Sequence, residues 1–281
     1  MMSDRGTSAV VPWQEGLFFV GNATTVICHG GFTLLTDPNF LHRGQRAYLG
    51  YGLTTVRRRD PALSTAQLPE LDAIVLSHMH GDHWDRVAQR GLDRRLPVIT
   101  TPHAARRLHV RGFRRAQGLR TWERRMLVKD DRMVRITSLP GRHAPGRLRR
   151  LLPPVMGSLL EFGTTGGEVD LRLYISGDTL MGEEVREIAR RYPDIDVGVV
   201  HLGGTMLLGL LMVTMDGRQG CDWLQTVPCT WVIPVHYDDY TAFKSPLSDF
   251  QREVDRRGLS ERVRYVQPGQ STSLLRRNTP S

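Results

Sequence analysis

The stretch Leu76-Ser77-His78-Met79-His80-Gly81-Asp82-His83 places four side chains able to ligate a metal within six residues. Imidazole nitrogens and carboxylate oxygens suit divalent cations of borderline or hard character, and no thiolate stands among them. The motif follows an apolar run, Ala73 to Leu76, that reads as a buried strand ending in a glycine-containing turn. Side chains alternate along an extended segment, so His78 and His80 project to one side and can grip one cation. Beyond Gly81 the backbone turns and carries Asp82 and His83 toward a second cation about 3.5–4 Å from the first, the spacing of two-metal hydrolytic sites. A solvated surface turn is the bland alternative in a chain with 10 histidines. The H-x-H-x-D-H spacing nevertheless arises by chance in roughly one chain in a thousand.

Such ligands need a frame. Leu17–Val20, Thr24–His29 and Phe32–Asp37 read as a three-stranded antiparallel meander with tight turns, the third strand ending in Thr36-Asp37-Pro38. The aperiodic segment 39–72 reads as a long loop or lid. After the His motif come a helix (Asp85–Leu92), a strand (Pro97–Thr100) and a helix (Pro102–Val110), an α/β alternation in which His103 and His109 have a structural role. Met133–Leu139 is a strand that delivers His143. Ser158–Phe162 and Leu171–Ser176 are paired strands, the second ending in Gly177-Asp178-Thr179. Gly182–Tyr192 is an amphipathic helix with acidic residues at its start. Val197–Leu202 is a strand, Asp216 caps a helix at Arg218–Val227, and Trp231–Val235 is a strand that delivers His236-Tyr237. Pro246 opens a further helix at its first position, and short strands near Val263–Val266 and Thr272–Leu275 close the chain. Asp37, His78, His143, Asp178 and His236 thus each stand where an apolar β-run meets a loop, and a sheet architecture that aligns strand ends gathers them on one edge.

Composition bounds the rest. The 281 residues, 40% of them hydrophobic, suffice for a sizeable core in one domain spanning 1–281, with loose tails at 1–8 and 276–281. Met1 to Ser8 lacks the apolar stretch of a signal peptide, and the longest apolar run, Thr205–Met215, falls short of the ~20 residues that span a bilayer. A soluble cytoplasmic protein is expected. Cys28, Cys221 and Cys229 form no C-x-x-C pair and read as buried reduced thiols. Net charge is +9, and of 38 basic side chains only Lys129 and Lys244 are lysines. The arginine clusters at 57–59, 106–107, 114–115 and 124–125 lack the interleaved aromatics that stack bases, so they read as solvated faces and nucleic acid is a disfavoured partner. Arg147, Arg149 and Arg150, set among leucines and prolines just after His143, suggest a wall for an anionic or amphiphilic substrate. Nothing in the sequence addresses the oligomeric state.

With Thr-Asp37-Pro, His78-Met-His80-Gly-Asp82-His83, His143, Ser-Gly-Asp178-Thr and Pro-Val-His236-Tyr together, the chain resembles the metallo-β-lactamase superfamily. It looks most like the branch that contains ascorbate-6-phosphate lactonase and N-acyl-phosphatidylethanolamine phospholipase D, through Leu-Leu-Thr-Asp-Pro-Asn-Phe, Gly-Asp-Thr, Gly203-Gly204 and Thr-Met-Asp. The resemblance implies a four-layered αββα sandwich. It also implies that His78, His80 and His143 hold one cation and Asp82, His83 and His236 a second. Asp178 then bridges them, and Asp37 orients a ligating imidazole from behind. Zinc is the first expectation, with manganese or iron as alternatives. The implied chemistry is hydrolysis of a phosphodiester, lactone or ester by a metal-bridging hydroxide that Asp82 helps orient, with Tyr237 or water supplying the leaving-group proton. A nuclease of the same superfamily and a metal-binding module without turnover are the alternatives.

Overall fold

The computed structural model describes residues 13–146 and 152–275. The tails expected at 1–8 and 276–281, and Arg147, Arg149 and Arg150, lie outside the described residues.

The chain opens with the meander β1 (Gly16–Gly21), β2 (Thr24–His29) and β3 (Phe32–Thr36), followed by a hairpin of β4 (Arg46–Gly50) and β5 (Leu53–Val56). Then come β6 (Ala73–Val75), α1 (Arg86–Gly91), β7 (Val98–Thr100), α2 (Pro102–Val110) and β8 (Ala116–Gly118). The second part holds β9 (Arg124–Lys129), β10 (Arg132–Pro140), β11 (Met156–Thr164), β12 (Val169–Ile175), α3 (Glu183–Arg191) and β13 (Ile195–His201). A small hairpin, β14 (Met206–Leu207) and β15 (Leu211–Met212), leads to α4 (Gly217–Thr226), β16 (Cys229–Val235), α5 (Leu247–Arg256) and β17 (Ser271–Thr272).

Two mixed sheets result, in the orders β17-β1-β2-β3-β6-β7-β8 and β16-β13-β12-β11-β10-β9. Alternation along the strands sorts side chains into layers. Leu17, Phe19, Ile27 and Leu34 join Val134, Ile136, Leu159 and Leu173 of the second sheet in one core, which continues onto Val185 and Ile188 of α3, Trp223 of α4 and Phe250 of α5. Their strand neighbours Phe18, Val20, Val26 and Leu35 face the other way and pack on Ala88 of α1 and Ala104 and Leu108 of α2. Helices therefore cover two stacked sheets, the expected αββα sandwich.

Strand direction explains why the ligand candidates share an edge. β3 and β6 are parallel, as are β12, β13 and β16; β10 is antiparallel to β11 and β11 to β12, so β10 runs with β12. The C-terminal ends of these strands carry Asp37, His78, His143, Asp178 and His236.

Several expectations need correction. Segment 39–72 is no plain loop, since it contains the β4–β5 hairpin; β4 alternates in burial, but its sequence hides this because the aromatic Tyr48, 56% exposed, stands on the solvated face. The apolar run 205–215 folds as the β14–β15 hairpin and exposes Leu208 and Leu210 at its tip. Pro246 caps α5 instead of occupying its first turn. Val263 makes only an isolated bridge to Val232, and the last strand is two residues long. Arg57, read as part of a solvated cluster, is 1% exposed. The cysteines are free thiols, Cys221 and Cys229 buried and Cys28 half-buried. Asp216 caps α4 as expected, accepting from Gln219 N–H at 2.8 Å.

Candidate metal centre

Each ligand candidate is aimed by a local device. Leu76 N–H donates to Ile99, which continues the β6 pairing by one residue and leaves His78 just beyond the sheet edge. The 80–84 turn closes with His83 and Trp84 N–H groups on the His80 carbonyl, and Asp85 then caps α1 by accepting from Val87 and Ala88. Gly81 is required by close approach: its N–H donates to the Tyr48 carbonyl at 2.8 Å, and a Cβ there would lie 2.5 Å from Tyr48 N. The β4–β5 hairpin is thereby pinned against the His motif.

All seven candidate ligands converge and all are buried. His78 Nε2, His80 Nδ1 and His143 Nε2 form one group, with His80 Nδ1 lying 3.0 Å and 3.2 Å from the other two. Asp82, His83, Asp178 and His236 form the other. Asp178 faces both: its Oδ2 is 3.9 Å from His78 Nε2 and 3.2 Å from His83 Nε2, while its Oδ1 is 3.6 Å from His236 Nε2. Asp82 Oδ2 lies 3.5 Å from His236 Nε2.

The partners of the remaining nitrogens set the tautomers. His143 Nδ1 meets the Val213 carbonyl and His236 Nδ1 the Leu202 carbonyl, both at 3.1 Å, and carbonyls only accept. The Nδ1 atoms therefore carry the protons, and the Nε2 lone pairs face the cluster. Asp37 accepts from His83 Nδ1 at 3.0 Å through Oδ2 while its Oδ1 accepts Ser77 N–H at 2.7 Å, so His83 Nε2 faces the cluster. Asp37 accordingly stands behind an imidazole. His201, which the sequence reading passed over, is the third contact of Asp37 at 3.5 Å, and its ring stacks on that of His83. Its only sequence signal is its place at a strand end.

Charge divides the two groups. Burial, then the neighbouring imidazoles, push His78 well below the ordinary histidine value; burial and His143 push His80 down to about 3. Burial also lowers His143. Burial opposes charge on His83 too, but the carboxylates of Asp178, Asp37 and Asp82 outweigh it and raise its pKa well above the usual range. Burial likewise works against the Asp37 carboxylate, yet His83 and His201 bring it down to about 2.

The donor set fits divalent cations. His80 Nδ1 lies at hydrogen-bonding distance from His78 Nε2 and from the His143 Nε2 lone pair, a cluster of three nitrogens that needs a proton or a cation among them. Asp82 Oδ1, Asp178 Oδ1, His83 Nε2 and His236 Nε2 are buried without a hydrogen-bond partner, an arrangement that costs stability unless a further ligand satisfies it.

Among the other site candidates, Tyr237 is buried and its hydroxyl donates to the Val266 carbonyl at 3.3 Å, inside the core between the sheets; this engagement takes it out of the proton-donor role. His109 is structural, bonding the Ala116 carbonyl through Nε2. His103 instead lines a cleft of about 830 Å³ beside His143, together with Tyr48, Tyr51, Arg107, Leu152 and Val155.

Residues 33–237, well over half of the chain, match the model of the beta-lactamase superfamily domain, and the chain belongs to that family. A metal-dependent hydrolase of Deinococcus radiodurans is 26% identical over 91% of this chain and 97% of its own length. The N-acyl-phosphatidylethanolamine-hydrolyzing phospholipase D 1 of Caenorhabditis elegans is 26% identical over 68% of this chain and 54% of its own. Among solved structures, an isothiocyanate hydrolase from Delia radicum gut bacteria superposes with a TM-score of 0.77 at 19% identity, covering 92% of this chain and 98% of that one. The diiron β-hydroxylase CmlA of Streptomyces venezuelae shares the fold with a TM-score of 0.68 at 16% identity, covering 94% of this chain and 55% of that one.

Proposed function

We propose that this chain, a metal-dependent hydrolase by its family and its His/Asp clusters, uses two divalent cations, zinc first among them, to hydrolyse a small or amphiphilic ester, lactone or phosphodiester. The observation that carries the reading is the position of Asp178, whose two oxygens face the triple-histidine group and the Asp82–His83–His236 group at once. His78, His80 and His143 would hold one cation, Asp82, His83 and His236 the other, with Asp178 between them. Bound there, the cations supply Lewis acidity and lower the pKa of a water molecule toward neutrality.

The chain's own residues do the rest. Asp37 fixes the orientation of His83, and the Val213 and Leu202 carbonyls fix those of His143 and His236. Asp82 keeps one carboxylate oxygen free of hydrogen bonds within the cluster, where it can orient the attacking water. The cleft beside His143 supports an amphiphilic substrate, since Tyr51, Leu152 and Val155 give it an apolar wall and Arg107 a cationic one. Metal analysis followed by a screen of ester, lactone and phosphodiester substrates on wild type and Asp82→Ala tests the reading. Turnover in the wild type and its loss in the variant are expected. Full activity in Asp82→Ala, or none in a two-metal wild type across all three classes, would overturn it.

A further inference from the structure

Behind the carboxylate-bearing group lies a buried polar assembly that contains none of its ligand side chains. Its centre is Asn22, in the turn between β1 and β2, buried, with φ of 54°. Asn22 N–H donates to Asp239 Oδ2 at 3.1 Å. Its carbonyl accepts from His236 N–H at 2.7 Å, and its Nδ2 donates to the Asp82 carbonyl at 2.7 Å. One residue thereby ties together the backbones of two candidate ligands that are far apart in the chain.

The tie is braced. Asp239, 1% exposed, pairs with the equally buried Arg57 at 3.5 Å. Arg57 donates through Nη1 to Asn39 Oδ1 and through Nε to the Arg59 carbonyl. Asn39 in turn donates to the Gly81 carbonyl and to the Asp85 carboxylate, each at 3.1 Å, a second hold on the same turn. A brace is needed there because His236 (φ 61°) and Asp238 (φ 58°) adopt the left-handed backbone region, which residues with a Cβ adopt at a cost. The triple-histidine group is held by other means, His78 by Ser77 and His143 by Val213.

We propose that Asn22, braced by the Asp239–Arg57 pair, is a positioning residue that sets the separation of Asp82 and His236 and so governs binding of the second cation without governing the first. The proposal rests on the two-cation reading above. Glycine at position 22 tolerates the backbone conformation and removes the amide donor. Aspartate keeps the shape but sets a carboxylate against the Asp82 carbonyl.

The experiment is zinc titration of the metal-free full chain, with zinc per chain measured by elemental analysis and the visible spectrum of the cobalt-substituted protein reporting each site. Wild type is expected to take two equivalents. In Asn22→Gly the first equivalent should bind within about threefold of wild type and the second roughly 10–100-fold more weakly, the range for residues that support a ligand from behind. Asn22→Asp should weaken the second at least as much. Asp239→Asn should do so by a smaller factor, and it answers the question if the turn variants fail to fold. Val134→Ala, a core cavity variant at the end of β10 remote from His143, should lower the melting temperature and keep both equivalents. Unchanged affinities in the folded variants, or equal weakening of both equivalents, would overturn the proposal alone. A wild type that takes only one equivalent would overturn the two-cation reading and this inference with it.

Discussion

The triple-histidine group and the Asp82–His83–His236 group share Asp178 as a common wall, yet they prepare for a cation in opposite ways. In the first, burial and like neighbours keep the imidazoles neutral, so His80 meets a cation with no proton to displace. In the second, three carboxylates hold His83 protonated until something replaces that charge. A cation arriving there competes with a proton; one arriving at the histidines does not. The two groups can therefore differ in cation affinity and in pH response although both are built from imidazoles and carboxylates.

Replacing the shared wall should give the largest effect. Asp178→Ala removes the carboxylate that faces both groups, and kcat/KM should fall on the order of 10³-fold, about 4 kcal/mol of lost transition-state stabilisation. The check is kcat/KM on the best substrate of the screen beside zinc content, with His80→Ala as the variant that touches one group only. If Asp178→Ala keeps both cations and its activity, the wall is not shared. On the two-cation reading, chelation should empty both groups at once. For each cation held at 100 times its dissociation constant, binding to the folded state alone contributes about 2.7 kcal/mol, so stripping it should lower the melting temperature by roughly 5–10 °C. Calorimetry with and without chelator reads this directly, and an unshifted transition would mean that the cluster holds no metal in the folded chain.

The contrast between the groups also marks what the sequence can show. The candidate site residues were legible because the apolar β-runs that end beside them are local signals; Asp37, His143, Asp178 and His236 come from separate elements that sheet packing brings to the His78–His83 turn. The strands and helices around them are near the expected places for the same reason. His201 escaped because a histidine ending an apolar strand looks like core until Asp37 is seen beside it. Arg57 escaped for the opposite reason: within Arg57-Arg58-Arg59 its charge signals solvent, and only the fold supplies Asp239, Asn39 and Tyr240 as partners. Tyr237 follows His236 directly, but the chain leaves β16 at Val235 and His236 adopts a left-handed φ of 61°, and the Tyr237 hydroxyl ends on the Val266 carbonyl in the core. The β4–β5 hairpin could not be read from its sequence because its register is fixed by contact with Gly81 and by partners from the 240s.

A smaller effect separates the groups through Asp37. It contacts His83 and His201 but none of the three histidines at the other position, so Asp37→Asn should weaken one cation by about 10–100-fold and leave the other within error. Competition with a chromophoric chelator measures both constants, and parallel weakening would show that Asp37 supports the whole edge and not one group.

The smallest effect lies in the acid response of the metal-free chain, and its sign follows from the two groups. His80 is held neutral in the fold down to about 3, whereas in the unfolded chain it takes up a proton near 6.5. Below 6.5 the unfolded state therefore binds more protons, and stability should fall as the pH drops from 6.5 toward 3, by at most about 1.4 kcal/mol per pH unit for each such histidine. Asp37 responds later: its carboxyl sits at about 2 in the fold against 3.8 in its ordinary state, so its contribution persists above 3.8 and is lost between 3.8 and 2. Urea unfolding of the chelated protein between pH 7 and 5 should thus show a shallower slope in His80→Gln than in wild type. If the slopes of wild type and His80→Gln coincide, the triple-histidine group is not held neutral by its surroundings, and the electrostatic division between the two groups fails.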